Sequence, residues 1–474
     1  MNIKEAVSIK PTSRQLKWQA LEFYGFIHFG INTMTNSEWG KGHEDLSQFN
    51  PETLDARQWI QSLKAAGMKG AILTCKHHDG FCLWPSKYTD HTVAASPWKN
   101  GQGDVVREFV DACREFDMSF GLYLSPWDMT EQTYGMGKEY DDFFVAQLEE
   151  LLTQYGEVFE VWFDGANGEG ANGKRQYYDW ERYYETIRKH QPEAVIAICG
   201  PDVRWIGNEG GHIRDNEWSV VPEKLKDAEK TAEISQQSVD DEFLKELKST
   251  NKDLGSRETL ASYNGNLIWY PAEVDVSIRP GWFHHPEEQD KVKTSEQLYE
   301  LYKKTVGGNA TLLLNIPPNR EGVIDPIDVR VLEELGAKLE KLKSENLLSK
   351  SNIQYSSAKQ ALDIAILMAS SLDSEYWSPE DNDVEPWLEF TFEEKVTINT
   401  LIMGEAIQQG QQIEKVSLFG KENGEWVEIT EVGSIGYKKI IEFSDLTVEG
   451  LKIVFTQFRE KLNVNYMSLL NIEK

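Results

Sequence analysis

The feature that most constrains this chain is a regular alternation of short, nearly continuous apolar runs with amphipathic stretches. The clearest runs are 23–29 (FYGFIHF), 69–75 (KGAILTC), 118–124 (MSFGLYL), 158–163 (VFEVWF), 194–199 (AVIAIC), 267–270 (LIWY) and 311–316 (TLLLNI). Strands apolar on both faces need cover on both, and segments 55–66, 104–116, 139–154 and 177–190 supply helical periodicity between them. Such a run of strands over roughly 320 residues predicts an α/β fold, a (β/α)8-like barrel rather than an open doubly wound sheet. No GxGxxG follows the first strand, which removes the main argument for dinucleotide binding.

A helix over 328–345 is expected to close this unit, giving a catalytic barrel over 1–347. The polar, weakly periodic stretch 225–260 reads as an insertion in a barrel loop. After Leu348 the pattern changes to short strands at 387–392, 396–403, 414–419, 425–430, 438–443 and 450–456. Turn residues separate most of them at spacings of about 10 residues, which predicts a C-terminal antiparallel β-sandwich over 348–474.

Charge narrows the partners. Lys and Arg total 49 against 78 Asp and Glu, a formal net charge of −29. A chain this acidic lacks the basic footprint that nucleic acid or an anionic membrane surface requires. The 4 cysteines (Cys75, Cys82, Cys113, Cys199) form no CxxC or other zinc spacing and read as reduced, structural thiols. No run of about 20 apolar residues suggests a membrane span, and MNIKEAVSIKPTSRQLKWQ lacks the apolar stretch of a signal peptide. The expectation is a soluble, cytoplasmic protein as encoded; a chain trimmed of a leader would read the same way.

Barrel enzymes build their sites just past the C-terminal ends of the strands. Here those positions hold His28, then Lys76-His77-His78-Asp79-Gly80, then Tyr123 with Ser125-Pro126-Trp127-Asp128, then Trp162-Phe163-Asp164-Gly165. The loop 204–218 adds Glu209, His212 and Glu217, and 269–285 adds Glu273, Asp275, Arg279, Trp282, His284 and His285. Carboxyl groups with histidines and tryptophans suit glycoside hydrolysis: one carboxyl protonates the departing oxygen, the other attacks or activates water. Asp164 is the best nucleophile candidate, because a buried strand fixes its position and Gly165 leaves space beside it. The plainer alternative is an Asp capping the following helix. A different class of enzyme, a metal-dependent barrel hydrolase, would use His28, His77, His78 and Asp164 as ligands, but the first strand reads His28-Phe29-Gly30 and lacks the usual His-x-His.

The stretches FIHFGINTMTNSEWG (26–40), FNPETLDARQWIQSLKAAGMKGAILTCKHHDGFCLWPSKYTDHTV (49–93), GDVVREFVDACREFDMSFGLYLSPWD (103–128) and VWFDGANG (161–168) form an ordered set of motifs. With RPGWFHH (279–285) and TLLLNIPPNREGVI (311–324), they resemble the α-L-fucosidases of glycoside hydrolase family 29, over essentially residues 20–345. The likeness is strongest to the branch acting on α-1,3/1,4-linked fucose. The resemblance implies a retaining exo-fucosidase with Asp164 as nucleophile and a covalent fucosyl-enzyme intermediate. It implies a pocket lined by His28, Glu38, Trp39, His77, His78, Tyr123 and Trp162, with Trp282 facing the C6 methyl of the sugar. It also implies a fucosylated oligosaccharide or glycoconjugate as substrate, and neither metal nor cofactor. The general acid/base moves between branches, so Glu209, Glu217, Glu273 and Asp275 are all candidates. Glu209, in the Gly-flanked loop GNEGGH, is preferred. Glu273 and Asp275 would otherwise touch the leaving oligosaccharide. A broader or α-1,2 linkage preference, or a catalytically inert sugar binder, are the other readings. The segment 377–390 resembles a discoidin-like, carbohydrate-binding-module-like fold, but shows no convergent aromatic platform, and packing support for the barrel is the expected role.

Overall fold

A computed structural model of the chain describes residues 3–235, 253–369 and 375–473. Eight parallel strands form the first sheet: β1 (Phe23–Ile27), β2 (Gly70–Lys76), β3 (Ser119–Leu124), β4 (Glu160–Phe163), β5 (Val195–Ile198), β6 (Arg204–Trp205), β9 (Ala272–Ser277) and β10 (Thr311–Asn315). Their order is β5-β4-β3-β2-β1-β10-β9-β6, and a parallel bridge between Ala197 and Val203 brings the two edges together. The sheet is thus a nearly closed barrel, the expected α/β architecture.

The helices outside it start where the sequence supplies caps. Asp55, Asp104 and Asp179 each accept a hydrogen bond from the backbone N–H three residues on, opening helices Ala56–Ala65, Val105–Glu115 and Trp180–His190. Their apolar faces, carrying Trp59, Ile60, Leu63, Phe109 and Ile187, are buried against the outside of the strands.

One expected barrel strand needs correction. The run 267–270 is not a barrel strand: β8 (Leu267–Trp269) pairs antiparallel with β7 (Val220–Pro222) in a separate two-stranded ribbon. The barrel position belongs to β9, just beyond. Its alternating Glu273 and Asp275 made it look polar, although both side chains are buried. The 225–260 insertion lies between β7 and β8; its described parts include helices Ala228–Ser235 and Arg257–Ala261, and 236–252 fall outside the described residues.

Beyond Leu348 all strands are antiparallel: β11 (Ser351–Tyr355), β12 (Trp387–Glu405), β13 (Ile413–Glu422), β14 (Glu425–Val432), β15 (Lys439–Phe458) and β16 (Val464–Leu470). Segments expected as separate strands are joined: 387–392 runs into 396–403 within β12, and 438–443 into 450–456 within β15. Register shifts between Thr391 and Val396 bend the pair instead of a turn severing it. The first part of β12 pairs with β11 and its last part with β16, around a core that includes Trp377, Phe390, Leu418, Ile453 and Phe455. This unit touches the barrel where Lys438 Nζ pairs with Glu22 at 2.6 Å and where Ile402 and Leu470 join the barrel's apolar shell. Among the described residues no helix is long and apolar enough to cross a membrane.

A buried ion pair fixes the end of β2. Lys76 Nζ lies 2.8 Å from Asp128 Oδ2 and donates to Gln147 Oε1 at 2.9 Å, with both charged side chains almost fully buried. Asp128 Oδ1 also accepts from the backbone N–H groups of Thr130 and Glu131. Removing one member of such a pair strands the other charge. Asp128→Ala should therefore cost about 3–5 kcal/mol of stability, read as a lowered denaturant midpoint with unchanged slope. A midpoint at the wild-type value would mean that the ammonium finds other partners.

Candidate active site

At the C-terminal ends of the strands lies a pocket of about 640 Å³, counting the solvent at its mouth. Phe26 and Trp162, with ring centroids 5.3 Å apart, floor it. His28, Glu38, Trp39, His77, His78, Asp164, Glu209, Asp275 and Trp282 line it, so most of the residues singled out by sequence converge on one cavity.

Asp164 follows β4 and is oriented from two sides. Its Oδ1 accepts from Ala166 N at 2.8 Å and its Oδ2 from the Tyr123 hydroxyl at 2.9 Å. Tyr123, expected on the pocket lining, is fully buried behind it, and its hydroxyl holds Asp164. Its ring stacks between His77 and Trp162, at 5.5 Å and 5.4 Å.

Hydrogen bonds fix the tautomers of His28 and His78 so that each keeps a free Nε2 acceptor. The Asn315 amide donates to Ser277 Oγ at 2.9 Å and to the Trp282 carbonyl at 2.8 Å. Its Oδ1 therefore faces His28 Nδ1 at 2.8 Å and takes that proton, leaving the Nε2 lone pair for a ligand. Burial pushes His28 down to about 3, against the opposing effect of the Asn315 hydrogen bond. Likewise Ser125 Oγ donates to the Trp127 carbonyl at 2.6 Å, so it accepts from His78 Nδ1 at 2.7 Å. His78 Nε2 then sits 3.7 Å from Asp164 Oδ2. Burial lowers His77 and His78 as well.

Glu38 anchors the wall opposite. Its two carboxylate oxygens accept from the backbone N–H groups of Trp282 and Phe283, each at 3.0 Å, and Oε1 also meets His285 Nε2 at 2.6 Å. Gly281 makes this possible: a Cβ there would lie 2.7 Å from Glu38 Oε1. Trp39 stands at the mouth, 52% exposed, with its ring edge-on to Trp127 at 5.8 Å.

The four acid/base candidates separate clearly. Glu209, on the loop after β6, reaches the pocket and accepts from the Trp282 indole at 3.2 Å. Burial, with smaller contributions from Asp164 and Glu38, pushes its carboxyl up to about 7. Asp275 also lines the pocket and accepts from the Trp205 indole at 2.7 Å; burial and Glu209 push it up. Glu217 is excluded: it is buried outside the pocket, paired with Arg204 and, at 3.3 Å, with Arg214. Glu273 is corrected too, both as acid/base and as leaving-group contact. It lies inside the barrel, accepting from the Trp162 indole at 2.7 Å and from the Tyr24 hydroxyl, beside Glu160. Burial raises both Glu160 and Glu273, whose carboxyls accept from the Trp18, Tyr24 and Trp162 side chains and so support the Trp162 ring from within the barrel. Arg279 and His284 belong to a structural cluster with Asp325, and Arg279 also meets Asp328.

Sequence reasoning passed over Phe26, Ile198, Trp205 and Asn315. Asn315 ends β10, so the strand-end rule could have found it. Ile198, at φ +68°, is a β-branched residue held in the left-handed region at the pocket edge, a strain with no sequence signature.

His77, His78 and Asp164 each offer a donor atom within 4.8 Å of the others, a spacing that a metal hydrolase would also use. Relatedness decides between the chemistries. The family described as alpha-L-fucosidase matches residues 7–343. Alpha-L-fucosidase 1 of Arabidopsis thaliana is 40% identical over 470 residues, covering 97% of this chain and 87% of that protein. A Ruminococcus gnavus GH29 fucosidase solved in complex with fucose superposes with a TM-score of 0.84 at 30% identity, over 98% of this chain and 95% of that one. The solved structure SpGH29 gives 0.85 at 33% identity, over 98% and 99% of the two chains. A neutral histidine set, an oriented aspartate and a glutamate raised towards neutrality thus sit in a chain that belongs to the α-L-fucosidase family of glycoside hydrolases.

Proposed function

We propose that the protein is a retaining exo-α-L-fucosidase that removes terminal α-1,3/1,4-linked fucose from branched, Lewis-type glycans. The observation that carries this reading is one pocket with two carboxyl groups suited to different tasks: Asp164, oriented by Tyr123 and Ala166, and Glu209, raised to about 7. The Asp164 carboxylate attacks the anomeric carbon while Glu209 gives its proton to the departing oxygen. The C1–O bond to the leaving sugar breaks and an ester to Asp164 forms. Glu209, now ionised, takes a proton from water, which attacks the same carbon and releases fucose and free Asp164.

His28 and His78 present unprotonated Nε2 atoms, each an acceptor for a ring hydroxyl. Phe26, Trp162 and Trp282 supply apolar faces for the methyl side of a deoxy-sugar. The branched-linkage preference is supported by the sequence likeness to that branch and by Trp39. Half-exposed at the mouth, Trp39 offers a stacking face to a leaving-side sugar. Asp275 and Trp205 are on the pocket lining, and in this reading they meet the leaving sugar.

A substrate panel tests the proposal: 4-nitrophenyl α-L-fucoside, 2′-fucosyllactose and the Lewis a and Lewis x trisaccharides, with the released anomer followed by NMR. The expected result is kcat/KM on the Lewis compounds at least about 10-fold above that on 2′-fucosyllactose, an energy difference of about 1.4 kcal/mol, with α-fucose appearing first. Equal rates on all linkages would leave a fucosidase of broader preference. β-Fucose as first product would replace double displacement with direct attack by water.

A further inference from the structure

A second cluster of potential ligands lies behind the wall of the sugar pocket. Glu44 Oε2 and His91 Nε2 are 3.6 Å apart, on side chains only 8% and 7% exposed. Both atoms are buried without a hydrogen-bond partner among the described residues. Asp79, 2% exposed, completes a set of three donor atoms within 4.8 Å of one another. The three come from different segments: the loop after Trp39, the end of β2 just past His78, and the stretch leading back from Cys82.

Each side chain is already fixed. Glu44 Oε1 accepts from the backbone N–H groups of Lys41 and Gly42, so its Oε2 is left for the cluster. Asp79 Oδ1 accepts from Phe81 N at 2.7 Å, and the His91 ring packs edge-on to Phe81 at 5.6 Å. Gly40, at φ +75°, gives the room: a Cβ there would lie 2.7 Å from Glu44 Oε1 and 2.9 Å from Asp79 Cβ. The same point is 2.7 Å from Asn32 Oδ1, another buried acceptor without a partner among the described residues. Burying two carboxyl groups beside each other is unfavourable unless a positive charge or a proton intervenes.

We propose that Glu44, Asp79 and His91 bind a single divalent transition-metal ion, of the zinc or manganese kind, which ties the Trp39 loop to the segment carrying His78. One imidazole with two carboxylates disfavours calcium and magnesium, which take oxygen donors, and suits first-row transition ions. The ion neutralises both carboxylates and accepts the two unpartnered lone pairs. It is a clamp beside the sugar pocket and takes no part in bond breaking.

The test uses the full chain, stripped with a chelator, dialysed against zinc and analysed by elemental mass spectrometry. The wild type should hold one zinc per chain, and excess zinc should raise its thermal midpoint by about 3 °C or more. Glu44→Gln and His91→Ala should reduce retained zinc to background and abolish the rise, whereas Asp164→Ala should keep both. Since removing a buried group can itself unfold a chain, the wild type supplies a second measurement. Cobalt(II) bound in place of zinc should give a visible absorption band that saturating fucose leaves unchanged. A wild type that retains no zinc overturns the proposal. So does zinc that persists in both variants, or cobalt displaced by fucose, which would place the ion against His77 and His78.

Discussion

Asp164→Ala should lower kcat/KM on 4-nitrophenyl α-L-fucoside by about 10⁴-fold or more, because the variant has nothing positioned to attack the anomeric carbon. The fold should survive. Asp164 is partly exposed at the end of β4, and its loss leaves two donors without their acceptor, the Tyr123 hydroxyl and the Ala166 backbone N–H, for a cost of about 1–3 kcal/mol each. Fucose should still bind, since His28, His78, Phe26 and Trp162 are untouched. Sodium azide should restore part of the lost rate by entering the space beside Gly165, and the product should be β-fucosyl azide, from one inversion. Wild-type turnover in the purified variant would remove Asp164 from the role. An unfolded variant would be recognised by absent fucose binding in calorimetry, and Asp164→Asn would then replace it.

The barrel was legible because strands covered on both faces must be apolar throughout, and β1, β2 and β3 are. β9 escaped notice for the converse reason. Glu273 and Asp275 point inward from a buried strand, one bonded to the Trp162 indole and the other to that of Trp205, so function or support has overwritten the apolar pattern. β6 is only Arg204–Trp205, too short for any periodicity. In the C-terminal unit, bulges rather than turns separate the halves of β12, and a bulge leaves no residue signature as plain as Gly or Asn.

For the site, strand-end position identified His28, His77, His78 and Asp164, whose placement needs only the local chain. Glu38 is different. It acts across 244 residues of sequence, holding the amide of Trp282, and no local pattern announces such a contact. Glu209 and Glu217 looked alike in one polar loop. Their difference is environmental: two arginines surround Glu217, whereas Glu209 is desolvated in the pocket with the Trp282 indole as donor and the carboxylates of Asp164 and Glu38 nearby.

That difference leads to the second large effect, on Glu209. A carboxyl raised to about 7 holds its proton below that pH and loses it above. Wild-type kcat/KM on a Lewis trisaccharide should therefore fall as pH rises through about 7, because the poor leaving group needs the proton. Glu209→Ala should lose about 10²–10⁴-fold on that substrate and should no longer show this limb. On 4-nitrophenyl fucoside the loss in the first step should be smaller, since nitrophenolate departs without help. Azide should then speed release of the fucosyl enzyme and yield α-fucosyl azide, the anomer opposite to that from Asp164→Ala. Asp275 is the rival, being in the same pocket and also raised. Burial keeps it hydrogen-bonded to Trp205 at the pocket wall, so Asp275→Asn should preserve the limb near 7 and the azide product should not form. A limb that survives in Glu209→Ala and vanishes in Asp275→Asn would exchange the two roles.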